Sequence, residues 1–170
     1  NSGRIGSVVG DFIHNVTITE NPDNPNATGS SHGAGLDNHN TIGTVVGDFI
    51  GNNIQLNVSG VPSNGINSGA GLRNSAGSIE SVTGNFIANS ANSSVEGSDV
   101  YGGGLANIQG ATLGSLKGIF ISNSAKSGGG GIYNTGVINS IEADFINNQA
   151  GVSYTLDGTK STVDASGGAI

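Results

Sequence analysis

Apolar positions along the 170-residue chain follow one pattern that returns five times. It reads [IL]-x-[ST]-[VLI]-x-[GA]-x-F-I-x-N and begins at Ile5, Ile42, Ile79, Leu113 and Ile138. All five phenylalanines, Phe12, Phe49, Phe86, Phe120 and Phe145, stand in its F-I-x-N segment, which ends at Asn15, Asn52, Asn89, Asn123 and Asn148. Val8, Gly10 and Phe12 recur in kind at every second residue, whereas positions 6, 9, 11 and 14 change from copy to copy. A period of two is that of a half-buried strand, with the variable positions on the solvent face. Helix formers are sparse and no segment sustains an i, i+3, i+4, i+7 pattern, which excludes a helical solenoid.

A glycine-rich block follows each copy after a variable stretch: Gly33-Ala34-Gly35-Leu36-Asp37-Asn38, Gly69-Ala70-Gly71-Leu72-Arg73-Asn74, Gly102-Gly103-Gly104-Leu105-Ala106-Asn107 and Gly129-Gly130-Gly131-Ile132-Tyr133-Asn134. A fifth begins at Gly167-Gly168-Ala169-Ile170. Successive phenylalanines are 37, 37, 34 and 25 residues apart. The excess over the shortest repeat collects in one place, the stretches 16–32, 53–68, 90–101, 124–128 and 149–166. Loops are therefore expected on one edge only.

About 25 residues holding three short strands and Gly/Asn corners fit one turn of a parallel β-helix, whose coils stack at about 4.8 Å. The sequence thus predicts an all-β fold, a right-handed parallel β-helix of about five coils, forming a single repeat domain over residues 1–170. Stacking places equivalent residues above one another. It predicts a phenylalanine column, two aliphatic columns and two asparagine columns, the second at Asn38, Asn74, Asn107 and Asn134. Inward asparagines at corners can bond the bend amides and one another, and they tolerate left-handed backbone. The same register pairs Asp37 with Arg73 and Lys117 with Glu142 in adjacent coils.

Composition narrows the class further. Charged residues make up 10% of the chain, and 12 acidic against 5 basic residues give a net charge of −7, which repels phosphate backbones and anionic lipid. No nucleic-acid partner is expected. Apolar runs are too short for a transmembrane helix, so no direct membrane insertion of this segment is expected either. The chain has no Cys, which removes disulfides, zinc thiolates and Cys nucleophiles.

Candidate chemistry is sparse. Asp11, Asp48 and Asp144 share one outward position, where stacked carboxylates could hold calcium or act on a sugar. Asn85 and Ile119 interrupt that column, which favours a solvated face. His14, His32 and His39 all lie in the first coil, without helical i, i+4 or H-x-H metal-ligand spacing. The glycine blocks lack G-x-G-x-x-G and G-K-[ST], so a scaffold role is read for them. Sequons at Asn15, Asn26, Asn57 and Asn92 are no more than this Asn-, Ser- and Thr-rich composition produces by chance. No catalytic residue, metal ligand or cofactor is predicted, and no enzymatic activity. A polysaccharide lyase or hydrolase would need a carboxylate cluster with a base on one face. Recognition is expected on the loops, where Tyr101 and Tyr154 are the main aromatic residues.

The coupled F-x-x-N and G-G-A-[ILV] motifs resemble the repeats of chlamydial polymorphic outer membrane proteins, and the whole chain resembles passenger domains of bacterial autotransporter adhesins. Only Gly167-Gly168-Ala169-Ile170 matches G-G-A-I; the other blocks read G-A-G-L, G-G-G-L or G-G-G-I. The resemblance implies export to the bacterial cell surface or the extracellular space as an interior segment of a longer β-helical passenger. It also implies adhesion to a host-cell receptor or glycan, or self-association through the coil ends or the loop edge. A subunit of a self-assembling extracellular fibre is the alternative.

Overall fold

The computed structural model describes residues 3–20, 30–57, 67–94, 98–154, 160–162 and 167–169, and these form an all-β parallel solenoid. The first sheet stacks Arg4–Val9, Thr41–Val46, Ser78–Thr83, Thr112–Ile121 and Val137–Ile146, extended by Phe12–Ile13, Phe49–Ile50 and Phe86–Ile87. The second stacks Val16–Glu20, Asn53–Asn57, Ser90–Ser93, Ser124–Ala125 and Gln149–Ala150. The third stacks Leu36–Asn38, Leu72–Asn74, Leu105–Asn107 and Ile132–Asn134. Every ladder in these sheets is parallel, and its register is that of the sequence repeat: Ile5 opposite Ile42, Phe49 opposite Phe86, Leu72 opposite Leu105.

The core is built from columns. Phe49, Phe86 and Phe120 are fully buried, and the five rings stack at centroid separations of 4.7, 4.7, 4.4 and 5.0 Å. Against them pack Ile42, Ile79 and Leu113, Val45, Val82 and Leu116, and, from the third sheet, Leu72, Leu105 and Ile132. Burying each such side chain contributes about 1.5–3 kcal/mol.

The asparagine columns close the polar accounts at the corners. Asn89 Nδ2 donates to Asn123 Oδ1 (2.9 Å) and to the Phe49 carbonyl (2.8 Å), while its Oδ1 accepts from Asn52 Nδ2 (2.9 Å) and the Asn52 amide (3.0 Å). The arrangement runs from Asn15 to Asn148. In the second column Asn38, Asn74, Asn107 and Asn134 are linked Nδ2 to Oδ1 at 2.8–2.9 Å. A corner amide left unpaired in this dry interior would cost about 1–3 kcal/mol.

Glycines in the blocks answer two demands. The first of each block, Gly33, Gly69, Gly102, Gly129 and Gly167, has φ between 40° and 74°, where a side chain is strained. The third, as at Gly71, leaves no room for a Cβ, which would press on the Gly104 carbonyl and on the Phe86 ring at 3.1 Å.

The structure corrects the sequence reading at four points. The period of two fails between Ile5 and Val8: pairing skips Gly6, and in the same way Gly43, Glu80, Gly114 and Asn139, so both aliphatic positions face inward although they are three apart. Three strands per coil is also too few. A short parallel sheet, Asn67–Ser68 with Val100–Tyr101, precedes the third, extended by bridges from Ser68 to His32 and from Tyr101 to Gly128. The stretches read as insertions begin with the strands of the second sheet, whose inward residues, Ile54, Leu56, Ala91 and Ala125, are partly too small to be recognised as a core pattern. Only 21–29, 58–66, 95–97, 155–159 and 163–166 of those stretches lie outside the described residues. Within the last stretch, Val152–Tyr154 pairs antiparallel with Lys160–Thr162.

Position x of F-I-x-N is left-handed wherever it stands: His14, Gly51, Ala88, Ser122 and Asn147 have φ of 52–61°. Its variability reflects a corner rather than a strand face. Alanine is strained there, by about 1–2 kcal/mol. Ala88→Gly is therefore expected to raise the unfolding free energy in urea by about 0.5–1 kcal/mol after the added unfolded-chain entropy is subtracted. Asn89→Ala strands several buried partners and is expected to cost about 3 kcal/mol by the same measurement, whereas Asn15→Ala, on the exposed first coil, should cost about 1 kcal/mol.

Candidate functional site on the glycine-block face

In the third sheet Leu72 and Asn74 and their equivalents point inward, so the residue between them faces out. This gives one column on the side of the sheet away from the core, Asp37, Arg73, Ala106 and Tyr133, in which Asp37 and Tyr133 are partly exposed while Arg73 and Ala106 are buried. Across the left-handed glycine corner, the short sheet supplies a second: His32, Ser68, Tyr101 and Gly128. The two columns lie side by side, as the bond from Arg73 Nε to Ser68 Oγ (3.3 Å) shows.

At the end nearer the first coil the columns form a polar cluster. Arg73 Nη1 reaches Asp37 Oδ1 at 3.2 Å, Asp37 Oδ2 at 3.4 Å and His39 Nε2 at 3.3 Å. His39 Nε2 also lies 3.1 Å from Asp37 Oδ2. An unprotonated Nε2 accepts from the guanidinium; a protonated one donates to the carboxylate. The Arg73 side chain is only 8% exposed, against 26% for Asp37 and 53% for His39. The pair predicted from the register is thus a largely buried one, and loss of Asp37 would leave an uncompensated guanidinium. The second predicted pair, Lys117–Glu142, forms at 2.9 Å and is solvent-exposed.

At the other end the two tyrosines stack, with centroids 4.3 Å apart and planes 21° from parallel. They come from diagonal positions: the next short-sheet residue after Tyr101 is Gly128 and the third-sheet residue before Tyr133 is Ala106. Neither offers a side chain large enough to separate the rings. Both rings line a cavity of about 250 Å³, with Gly128, Gly129, Ile132 and Gly167 among its walls. Burial, then the charge of Asp99 and the hydrogen bond to it, raises the Tyr101 phenol above its ordinary value.

The remaining candidates are placed elsewhere. The phenylalanine and asparagine columns are interior scaffold. Asp11 and Asp48, on the first sheet, cap backbone: Asp48 N–H donates to Asp11 Oδ1 (2.9 Å), Asn85 N–H to Asp48 Oδ1 (2.8 Å) and Ile119 N–H to Asn85 Oδ1 (3.2 Å). They do more than face solvent, because they bridge the break between the long strand and the F-I strand in the first three coils. Where Ile119 and Asp144 stand opposite each other the strand runs unbroken. The His14 ring lies over Gly51, remote in the repeat from His32 and His39. Among the described residues no three His, Asp or Glu side chains are grouped to hold a metal ion. Asn26, the Tyr154 side chain and Ile170 lie outside the described residues.

Sequence reasoning found Tyr101, the Asp37–Arg73 pair and His39 in the same coil as Asp37, but missed Tyr133 and Asp99 as neighbours of Tyr101. The alignment of glycine blocks already put Tyr133 in the Asp37 column; what it lacked was the short sheet that brings Tyr101 alongside. No protein-family model, curated protein or solved structure matches the chain.

A raised folded-state pKa means that the folded protein holds the Tyr101 proton more tightly than the unfolded chain does. That contribution to stability is complete below about pH 10 and is lost as pH rises through the folded value. The difference in urea unfolding free energy between wild type and Tyr101→Phe is expected to be flat up to about pH 9.5 and to shrink above it. A constant difference across that range would contradict the assignment.

Proposed function

We propose that this chain is a segment of a surface-displayed or secreted β-helical passenger that acts in adhesion or self-association, without enzymatic activity. One observation carries the reading. Both tyrosines with described side chains, Arg73, Asp37, Asp99 and two of the three histidines gather on the glycine-block face, into which the variable stretches lead. The other outward columns vary too, with the exposed ion pairs Arg4–Glu80 at 2.7 Å and Lys117–Glu142 at 2.9 Å on the first sheet, but among the described residues none of them brings aromatic rings together.

A rigid stack presenting one chemically varied edge is the arrangement that suits recognition on loops. The resemblance of F-x-x-N and the glycine blocks to autotransporter passenger repeats supports the same reading and the location at the bacterial surface. The chain's negative charge favours a partner reached by shape and hydrogen bonding over one steered by phosphate or anionic lipid.

Shortening the stretches at 16–32, 53–68, 90–101 and 149–166, keeping the strands of the second sheet, tests the proposal. Binding of the purified chain to cultured epithelial cells, and to itself, is expected to fall by about tenfold or more while thermal unfolding still shows a folded solenoid. Undiminished binding by the trimmed protein would contradict it.

A further inference from the structure

We infer that the glycine-block face binds a neutral glycan, laid along the solenoid axis over the Tyr101–Tyr133 pair with its hydroxyls reaching Asp37 and His39. The inference rests on the adhesion reading above and specifies its ligand.

The face has the two kinds of surface that a sugar needs. Pyranose rings present flat C–H faces that pack on aromatic rings, and here two phenol rings are held half-buried beside a cavity of about 250 Å³. Their edges carry hydroxyl groups that vicinal diols bond in either direction; at the other end the Asp37 carboxylate accepts from such hydroxyls, and the His39 ring nitrogens bond them according to tautomer. The cluster and the tyrosine pair are separated along the axis, from the first coil to the fourth. At about 4.8 Å per coil that is about 14 Å, the length of a short oligosaccharide.

The groups are fixed before a ligand arrives. Arg73 is anchored by Ser68 and holds the Asp37 carboxylate, and Tyr101 is held by Tyr133 and Asp99. Little side-chain entropy remains to be lost on binding. Arg73, 8% exposed, is a positioning residue; Asp37, His39 and the tyrosines are the contact residues.

Two observations select a neutral glycan over other partners. Among the described residues the exposed large aliphatic side chains, such as Val9, Ile13, Val16, Ile18, Val46 and Ile146, all belong to the first two sheets, so those residues give the glycine-block face no aliphatic patch to form the apolar core of a protein interface. An acidic glycan would need an unmatched cation, whereas the Arg73 charge is matched by Asp37 at 3.2 Å, Asp99 stands beside Tyr101 and the chain carries −7 overall.

The test uses the full 170-residue chain and its Tyr133→Ala and Tyr133→Phe variants, with chitohexaose, cellohexaose and mannohexaose as neutral probes and a heparin hexasaccharide as the acidic one. Calorimetry is expected to show binding of at least one neutral probe, weakened by about tenfold or more in Tyr133→Ala and by less than about threefold in Tyr133→Phe, which keeps the stacked ring. Binding of the heparin probe alone, of none of the probes, or equally by wild type and Tyr133→Ala would overturn the inference. Cell binding by the same preparations is measured before and after enzymatic removal of surface glycans. Cell binding that survives deglycosylation overturns the glycan inference and leaves the adhesion reading standing; absence of both cell binding and self-association overturns the adhesion reading, while the calorimetry decides glycan binding by itself.

Discussion

In a stack of parallel coils, the backbone N–H and C=O groups of one turn find their partners mainly in the turns above and below, because a strand has no neighbour within its own coil. Along the sheets the ladder meets this demand. At the corners it fails, since the chain must bend there, and side chains have to finish the pairing in the same coil-to-coil direction. Asparagine does so because its amide offers donors and an acceptor on one short stem. Asn52, Asn89 and Asn123 each bond the equivalent residue of the next coil and a phenylalanine carbonyl of the preceding one. Fixing the coils in that register also fixes the phenylalanine stack and the glycines, whose backbones approach too closely to admit a Cβ. The core is thus a consequence of the pairing as much as a cause of it.

The same constraint explains where chemistry can vary. Inward positions and corner positions are committed, and some outward positions are committed too, as the Asp11–Asp48–Asn85 caps show. The middle residue of each glycine-block strand and its neighbours across the corner are free of these duties. Asp37, Arg73, Tyr101 and Tyr133 occupy those places, and small residues at Ala106 and Gly128 let the two rings meet. The repeat leaves outward positions undictated on the first sheet as well, and the functional proposals rest on the glycine-block face because the two stacked tyrosines and the Asp37–Arg73–His39 cluster meet there.

Much of this was legible in the sequence because a repeat displays its own alignment. Phe12 to Phe145 and Asn15 to Asn148 announced their columns, and the predicted Asp37–Arg73 and Lys117–Glu142 pairs formed as the register required. What could not be read had physical reasons. The skip at Gly6 and its equivalents breaks simple alternation without any residue type that marks it. The second sheet hid within stretches of unequal length, since Ala91, Ser93 and Ala125 fill its interior with side chains too small to look like a core. The stacking of Tyr101 on Tyr133 depends on a two-residue sheet that carries almost no sequence signal. The left-handed corner at His14, Ala88 and Ser122 was masked because only Gly51 and Asn147 are residues that favour it.

The central claim is that equivalent residues of successive repeats stand directly above one another. Nuclear Overhauser contacts among selectively labelled phenylalanine rings test it most directly. The stack predicts contacts from Phe86 to Phe49 and to Phe120, and none from Phe86 to Phe12 or Phe145, which lie two coils away in either direction. Contacts that skip a repeat, or rings with no contact to one another, would contradict the account.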